Sequence, residues 1–138
     1  MDSANFEDEL WCASRRDDVV AYLATERLDH GEVGEVPAWF ITPVLSIWAV
    51  ESLKNPGWLG WWVICGDVPT DYCSSQDCPH PRLATKRIAE HWRTEIARTR
   101  QGDLQIGRTG LSVDLIDLLA ARAEMLLTLA EDNAIWPE

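Results

Sequence analysis

The sequence predicts an α+β fold: a mostly helical single domain over residues 1–138, with four or five helices and a small β-sheet around residues 61–65. Apolar residues recur at helical spacing in several segments. The run from Trp61 to Cys65 is short, aromatic and β-branched, and glycines bound it on both sides, which is typical of a buried strand. Hydrophobic residues make up 46% of the chain and charged residues 25%, the mix of an ordinary globular domain. An all-α fold is the alternative.

The first half of the chain is predicted to be mainly helical. Two helices are expected at the start, over residues 3–11 and 15–28, with Ser14 as the N-cap of the second. Residues 35–41 favour β-structure but contain a proline, so they predict an edge strand at best. Thr42 and Pro43 are typical of an N-cap followed by the first helical position. They predict a further helix from Pro43 to Leu53.

The second half contains the clearest periodic segments. After the strand at residues 61–65, the three prolines within residues 67–81 predict a loop. Residues 82–100 carry apolar side chains at four-residue spacing and predict a helix. Residues 102–110 are expected to connect it to a last helix over residues 113–131, capped by Ser112 and rich in leucine.

The charge of the chain excludes some classes of partner. The formal net charge is −11, with 23 acidic against 12 basic residues. Nucleic acids and anionic membranes require cationic surfaces, so neither is an expected partner. The one basic stretch, residues 82–108, holds seven basic and three acidic residues. We interpret it first as neutralising nearby acidic surface, rather than as an anion site.

The cellular compartment is predicted to be the cytoplasm. The acidic opening of the sequence, MDSANFEDE, has neither the cationic nor the apolar region of a signal peptide. No segment reaches the ~20 apolar residues of a membrane span. The four cysteines are therefore expected to be reduced.

Three strings of residues resemble a known family. They are GEVPAW at residues 34–39, IWAVES at 47–52 and GWWVICGDVPTDY at 60–72. Together they resemble an uncharacterised bacterial family, a domain of unknown function, over about residues 10–100. The most specific part is the pattern GWW-x-I-x-GD-x-PTDY. The resemblance implies a bacterial origin and assigns no activity.

Tryptophan is unusually frequent, with eight residues in the chain. We expect an aromatic core, because four of them, Trp39, Trp48, Trp62 and Trp92, occupy positions that are predicted to be buried. Trp61 and Trp62 are neighbours on a strand and must point to opposite faces, so one of them is expected to be partly exposed. Tryptophan is enriched among the residues that anchor protein interfaces. Trp58 and Trp61 are therefore candidate binding residues.

The segment after the predicted strand contains candidate chemical groups. Asp67 and Asp71 could serve acid–base chemistry or hold a cation, but aspartate in such a sequence more often fixes a turn. We predict turn-forming roles for both and no catalytic residue. An alternative zinc site would use two cysteines and two histidines at a spacing that fits no common zinc template, namely Cys73, Cys78, His80 and His91.

The favoured function is protein binding without catalysis. A small acidic, tryptophan-rich domain suits an inhibitor or immunity protein that neutralises a basic toxin or nuclease. The candidate binding residues are Trp58, Trp61, Asp67, Asp71 and Glu35. No cofactor is expected, and the sequence is compatible with a homodimer. The alternative is a small metal-binding protein, with zinc, or an enzyme that uses the loop from Asp67 to His80.

Overall fold

The computed structural model describes residues 3–101 and 113–137. These contain three helices and a four-stranded sheet, which confirms the α+β class and rules out the all-α alternative. The elements are α1 (Ser3–Glu26), β1 (Trp39–Ile41), β2 (Leu45–Glu51), β3 (Leu59–Gly66), β4 (Val68–Ser74), α2 (Pro81–Arg100) and α3 (Val113–Glu131). The predicted connector at 102–110 and the Ser112 cap lie outside the described residues.

The chain forms two compact units, Met1–Ala84 and Thr85–Glu138. The first contains α1 and the whole sheet, whose strands are antiparallel in the order β1-β2-β3-β4. The second contains most of α2 and all of α3. The prediction of a single domain over residues 1–138 stays a prediction.

The predicted number of helices, four or five, is wrong for the described part of the chain, where there are three. The two helices predicted within residues 3–28 form the single helix α1, because the residues between them, Cys12 to Ser14, break neither its backbone nor its periodicity. A serine can occupy a helix interior as well as a cap, and here Ser14 lies in the interior.

The helix predicted from Pro43 to Leu53 is also wrong, because strand β2 occupies that segment. Leu45, Ile47 and Trp48 are all fully buried, so both faces of β2 are covered. A strand that is buried on both faces loses the alternation of apolar and polar residues that normally identifies it. Thr42 and Pro43, interpreted as a helix start, instead lie in the turn between β1 and β2.

The predicted loop at residues 67–81 contains strand β4, which pairs with β3 from Gly66 to Trp61. Proline is tolerated here because β4 is an edge strand, and on the open edge of a sheet a backbone position needs no N–H to pair with a neighbouring strand. Only Asp67 separates the two strands. Gly66 has a positive φ of 139°, and the Asp67 amide donates to the carbonyl of Val44 over 2.9 Å.

The core of the first unit lies between α1 and one face of the sheet. Val19 and Leu23 of α1 pack in one cluster with side chains of β2, β3 and the loop before β1, namely Val33, Trp48, Val50, Val63 and Cys65. The Trp48 indole donates to the buried Ser46 hydroxyl over 2.9 Å, and that hydroxyl donates to the carbonyl of Cys65 over 3.0 Å. The predicted burial of Trp48 and Trp62 is confirmed, whereas Trp39 is only half-buried.

In the second unit, α2 and α3 agree with their predicted boundaries to within one residue. Trp92 is buried, as predicted, and the Trp136 indole donates to the carbonyl of Leu129 over 2.8 Å. None of the helices in the described ranges is both long and apolar enough to cross a membrane.

Candidate functional site: an acidic groove and an apolar groove

A groove of about 410 Å³ opens where the loop before β1 meets the end of β2 and the start of β3. We call it the acidic groove, because Glu32, Glu35 and Glu51 line it. Trp58 also lines it and is 74% exposed. Three carboxylates and one open indole face thus share a single concave surface.

Backbone pairing holds the acidic groove in shape. The amide of Gly34 donates to the carbonyl of Ala49 over 3.0 Å, and the amide of Glu51 donates to the carbonyl of Glu32 over 2.8 Å. The Glu51 carboxylate accepts the amide of Gly57 over 3.0 Å, which fixes the loop that carries Trp58. The carboxylates and the indole are therefore presented from an ordered backbone.

Arg16 of α1 binds the backbone of the loop before β1. Its Nε donates to the carbonyl of Gly34 and its terminal nitrogen donates to the carbonyl of Val33, each over 2.9 Å. The guanidinium fork is well suited to two parallel hydrogen bonds. One side chain therefore ties residues 33–34 to the helix.

A second groove, of about 440 Å³, lies between α1 and β1. We call it the apolar groove, because its walls include Val36, Pro37 and Phe40, and Cys12 also lines it. Three carboxylates line it as well, those of Asp8, Glu9 and Glu35. Glu35 therefore lines both grooves.

The Cys12 thiol in the apolar groove is not activated as a nucleophile. Burial raises its pKa, and the nearby Asp8 carboxylate raises it further. A thiol with a raised pKa stays protonated at neutral pH and is a weak nucleophile. Cys12 therefore contributes to the groove as a small apolar group.

Of the five predicted binding residues, the structure brings together Trp58 and Glu35, which line the acidic groove. Trp61 is half-buried and packs edge-on against Tyr72, with ring centroids 5.8 Å apart. Trp62 points to the opposite face and is buried, as the alternation of side chains along a strand predicts. Trp61, Asp67 and Asp71 line neither of these grooves.

The two aspartates differ from each other in position. Asp67 lies at the reversal between β3 and β4, in agreement with the predicted turn role. Asp71 lies within β4, so a turn role for it is wrong. Its carboxylate accepts the Tyr72 amide over 2.8 Å and the Tyr22 hydroxyl over 3.5 Å, which links β4 to α1.

The Tyr22 hydroxyl is expected to make the stability of the protein fall at alkaline pH. Burial raises the pKa of Tyr22 well above its usual value near 10, and the Asp71 and Glu26 carboxylates raise it further. Because the pKa of Tyr22 is higher in the folded than in the unfolded state, the contribution of this group to stability is fully present below its unfolded-state pKa of about 10. The contribution is lost as the pH rises above that value. We expect Tyr22→Phe to lose less stability than the wild type between about pH 9 and pH 11. The upper limit of the difference is about 1.4 kcal/mol per pH unit for one proton.

Urea unfolding of both proteins across this pH range measures the difference. The other groups whose pKa is raised, including the Cys65 thiol, titrate equally in both proteins, so they cancel. Parallel stability curves would mean that the Tyr22 hydroxyl is not held in its protonated form by the fold.

The residues of the alternative zinc site have structural roles of their own. The Cys78 carbonyl accepts the Trp62 indole N–H over 2.8 Å, and the thiol is buried. The His80 Nδ1 accepts the Arg82 amide over 3.0 Å, as an N-cap of α2 would. Cys73 is half-buried on β4, and His91 is exposed on α2. Within the part of the chain that the structure describes, no three His, Cys, Asp or Glu side chains group as a metal site.

Some of the basic residues of α2 form ion pairs within the second unit. Arg93 lies 3.5 Å from Glu124, and Arg100 lies 3.1 Å from Asp117, both acids being on α3. These pairs are exposed and contribute little to stability. They agree with the interpretation that the basic segment neutralises acidic surface.

The sequence did not point to several residues of the grooves. Asp8 and Glu9 lie on α1, far in the chain from Phe40 of β1, and only the tertiary fold brings them together. One signal was available for Phe40, because its neighbours Trp39 and Ile41 must occupy the other face of β1. Glu32 and Glu35, which lie close together in the chain around Gly34, were a second signal, in this case for the acidic groove.

Comparison with protein families identifies the chain. The model of a domain of unknown function, DUF4826, matches residues 6–136. The chain belongs to the DUF4826 family. The predicted resemblance to a domain of unknown function is thereby confirmed, and it extends beyond the residues 10–100 on which it rested. Comparisons with curated proteins and with solved structures give no match for this DUF4826 member.

Proposed function

We propose that this DUF4826 member is a bacterial cytoplasmic protein that binds a basic protein partner through the acidic groove, without catalysis. An inhibitor or immunity protein that neutralises a basic toxin or nuclease is the form of this function that we favour. The observation that carries the proposal is the 74% exposure of Trp58 in a groove lined by three glutamates.

The chemistry of the groove favours a protein over other ligands. Exposure of an apolar indole ring to water is unfavourable, so burial of the ring by a partner contributes favourable free energy to binding. Tryptophan is also enriched among the residues that dominate binding energy. The carboxylates that line the same groove attract lysine and arginine and repel phosphates. A basic protein surface meets both requirements.

Affinity capture with the purified protein tests the proposal when wild type and Trp58→Ala are compared. Leu53→Ala is the matched control, because Leu53 is also an exposed apolar residue of the first unit and does not line the acidic groove. We expect the wild type and Leu53→Ala to retain proteins of basic isoelectric point, and Trp58→Ala to lose them. Retention of the same proteins by Trp58→Ala would overturn the proposal.

The negative charge of the acidic groove predicts how salt changes the rates of association and dissociation. Raising the salt concentration from about 0.02 M to about 0.5 M screens the glutamates, because the Debye length falls well below the size of the interface. We expect the association rate constant with the captured partner to fall by at least about tenfold and the dissociation rate constant to change much less. Surface plasmon resonance at several salt concentrations measures both. An association rate independent of salt would remove electrostatic attraction from the mechanism.

A further inference from the structure

The apolar groove exposes hydrophobic surface that the first unit does not cover. Val36 is 72% exposed and Phe40 is 38% exposed, and both line the groove beside Pro37. Phe40 lies on the face of β1 that corresponds to Ser46 of β2, the side of the sheet on which α1 packs. Side chains of this kind gathered in one concavity are typical of an interaction site.

The charge around this hydrophobic surface has one sign. Asp8 and Glu9 come from α1, and Glu35 comes from the loop that leads to β1, so carboxylates line the groove from both elements. None of the described residues that line it is basic. An anionic lipid surface or a nucleic acid would be repelled here, whereas a cationic group would be attracted.

The groove is ordered before any partner binds. The Thr42 hydroxyl donates to the Asp8 carboxylate over 3.0 Å, which joins α1 to the turn after β1. Arg16 holds the backbone at residues 33–34, directly before Glu35 and Val36. A preformed groove loses little conformational entropy on binding, which removes one of the costs that oppose association.

We infer that the apolar groove binds a partner segment in which a bulky apolar side chain is flanked by lysine or arginine. The apolar side chain packs against Val36 and Phe40, and the flanking cations meet Asp8, Glu9 and Glu35. The volume of about 440 Å³ lies near the lower end of the range for ligand pockets, which suits side chains of a segment. The inference rests on the proposed function, since Glu35 joins this groove to the acidic groove and one partner reaches both.

Three synthetic peptides of about 12 residues separate the contribution of the apolar side chains to binding from that of the positive charge. The first contains lysine and leucine on an amphipathic pattern, the second replaces leucine by serine at the same charge, and the third replaces lysine by glutamate at the same apolar content. We expect the lysine–leucine peptide to bind with a Kd at least about tenfold lower than either of the others, measured by isothermal titration calorimetry.

Val36→Lys tests the location, and Leu53→Lys is the control. Both residues are exposed and apolar, and both variants gain the same charge, but Leu53 lines neither of the two grooves. We expect Val36→Lys to raise the Kd of the lysine–leucine peptide at least about tenfold and Leu53→Lys to leave it within about twofold. In NMR spectra of the wild type, the peptide should shift the amide signals of Cys12, Ala13 and Phe40.

The outcomes distinguish this inference from the proposed function. Equal binding of the lysine–serine and lysine–leucine peptides would overturn the apolar subsite. Binding that survives Val36→Lys and shifts only the Trp58 indole and Glu51 would overturn the inference while supporting the acidic groove. If neither lysine peptide binds, the inference fails, whereas the proposed function is decided separately by the capture of basic proteins with the wild type and Trp58→Ala.

Discussion

Trp48→Ala is expected to lower the free energy of unfolding by about 3–5 kcal/mol, the range measured for large-to-small changes at buried aromatic positions. Trp48 is 0% exposed and lies in the cluster between α1 and the sheet. Its removal leaves a cavity there and also takes a donor away from the buried Ser46 hydroxyl. A loss of this size approaches the whole stability of a marginal domain.

Urea unfolding followed by circular dichroism measures this effect. Trp58→Ala is the matched control, because it makes the same substitution at an exposed position, and we expect a change within about 0.5 kcal/mol. If Trp48→Ala unfolds at the same urea concentration as the wild type, the cluster around Trp48 does not hold the sheet to α1.

Gly66→Ala is expected to destabilise the fold by about 2–3 kcal/mol, the upper part of the cost of a strained backbone position. Gly66 has a φ of 139°, and a Cβ added there would lie 2.6 Å from the carbonyl oxygen of Val44. That carbonyl accepts the Asp67 amide, so relief of the clash would disturb the hydrogen bond that joins the β3–β4 reversal to the residue before β2.

Gly57→Ala provides the control for this prediction. Gly57 also has a positive φ, of 90°, but an added Cβ would meet nothing within 4 Å. We expect it to lose only about 1 kcal/mol, the cost of the backbone conformation without a clash. Equal losses in thermal melts of the two variants would show that the close approach at Val44 is relieved at no cost.

The parts of the fold that the sequence predicts are those in which local pattern and tertiary environment agree. Strand β3 was evident because an aromatic and β-branched run lies between glycines, and α2 was evident because its apolar residues keep helical spacing. Strand β2 was mistaken for a helix because Ile47 and Trp48 are both buried, so no alternation was visible. Strand β4 was hidden by Pro69, which only an edge strand tolerates.

The candidate site could be predicted only in part, because some of its residues are brought together by the tertiary fold and not by a local pattern. Trp58 stood out by residue type, since tryptophan is enriched among the residues that anchor protein interfaces, and Glu35 was predicted with it. Trp61 was of the same type but belongs to the packing around Tyr72. Asp8 and Phe40 carry no local signal of proximity, because their meeting depends on how α1 lies on the sheet.

The hydrogen bonds from Arg16 to residues 33–34 have a thermodynamic consequence. Arg16 ties residues 33–34 of the acidic groove to α1, and residues of α1 line the apolar groove directly, so both grooves belong to the folded state and the unfolded chain has neither. A partner that binds only the folded chain shifts the unfolding equilibrium by mass action, by about 2.7 kcal/mol at a hundredfold excess over its Kd. For the proposed partner, this means that the complex would resist proteolysis better than the protein alone, and that the abundance of the protein would rise with that of the partner.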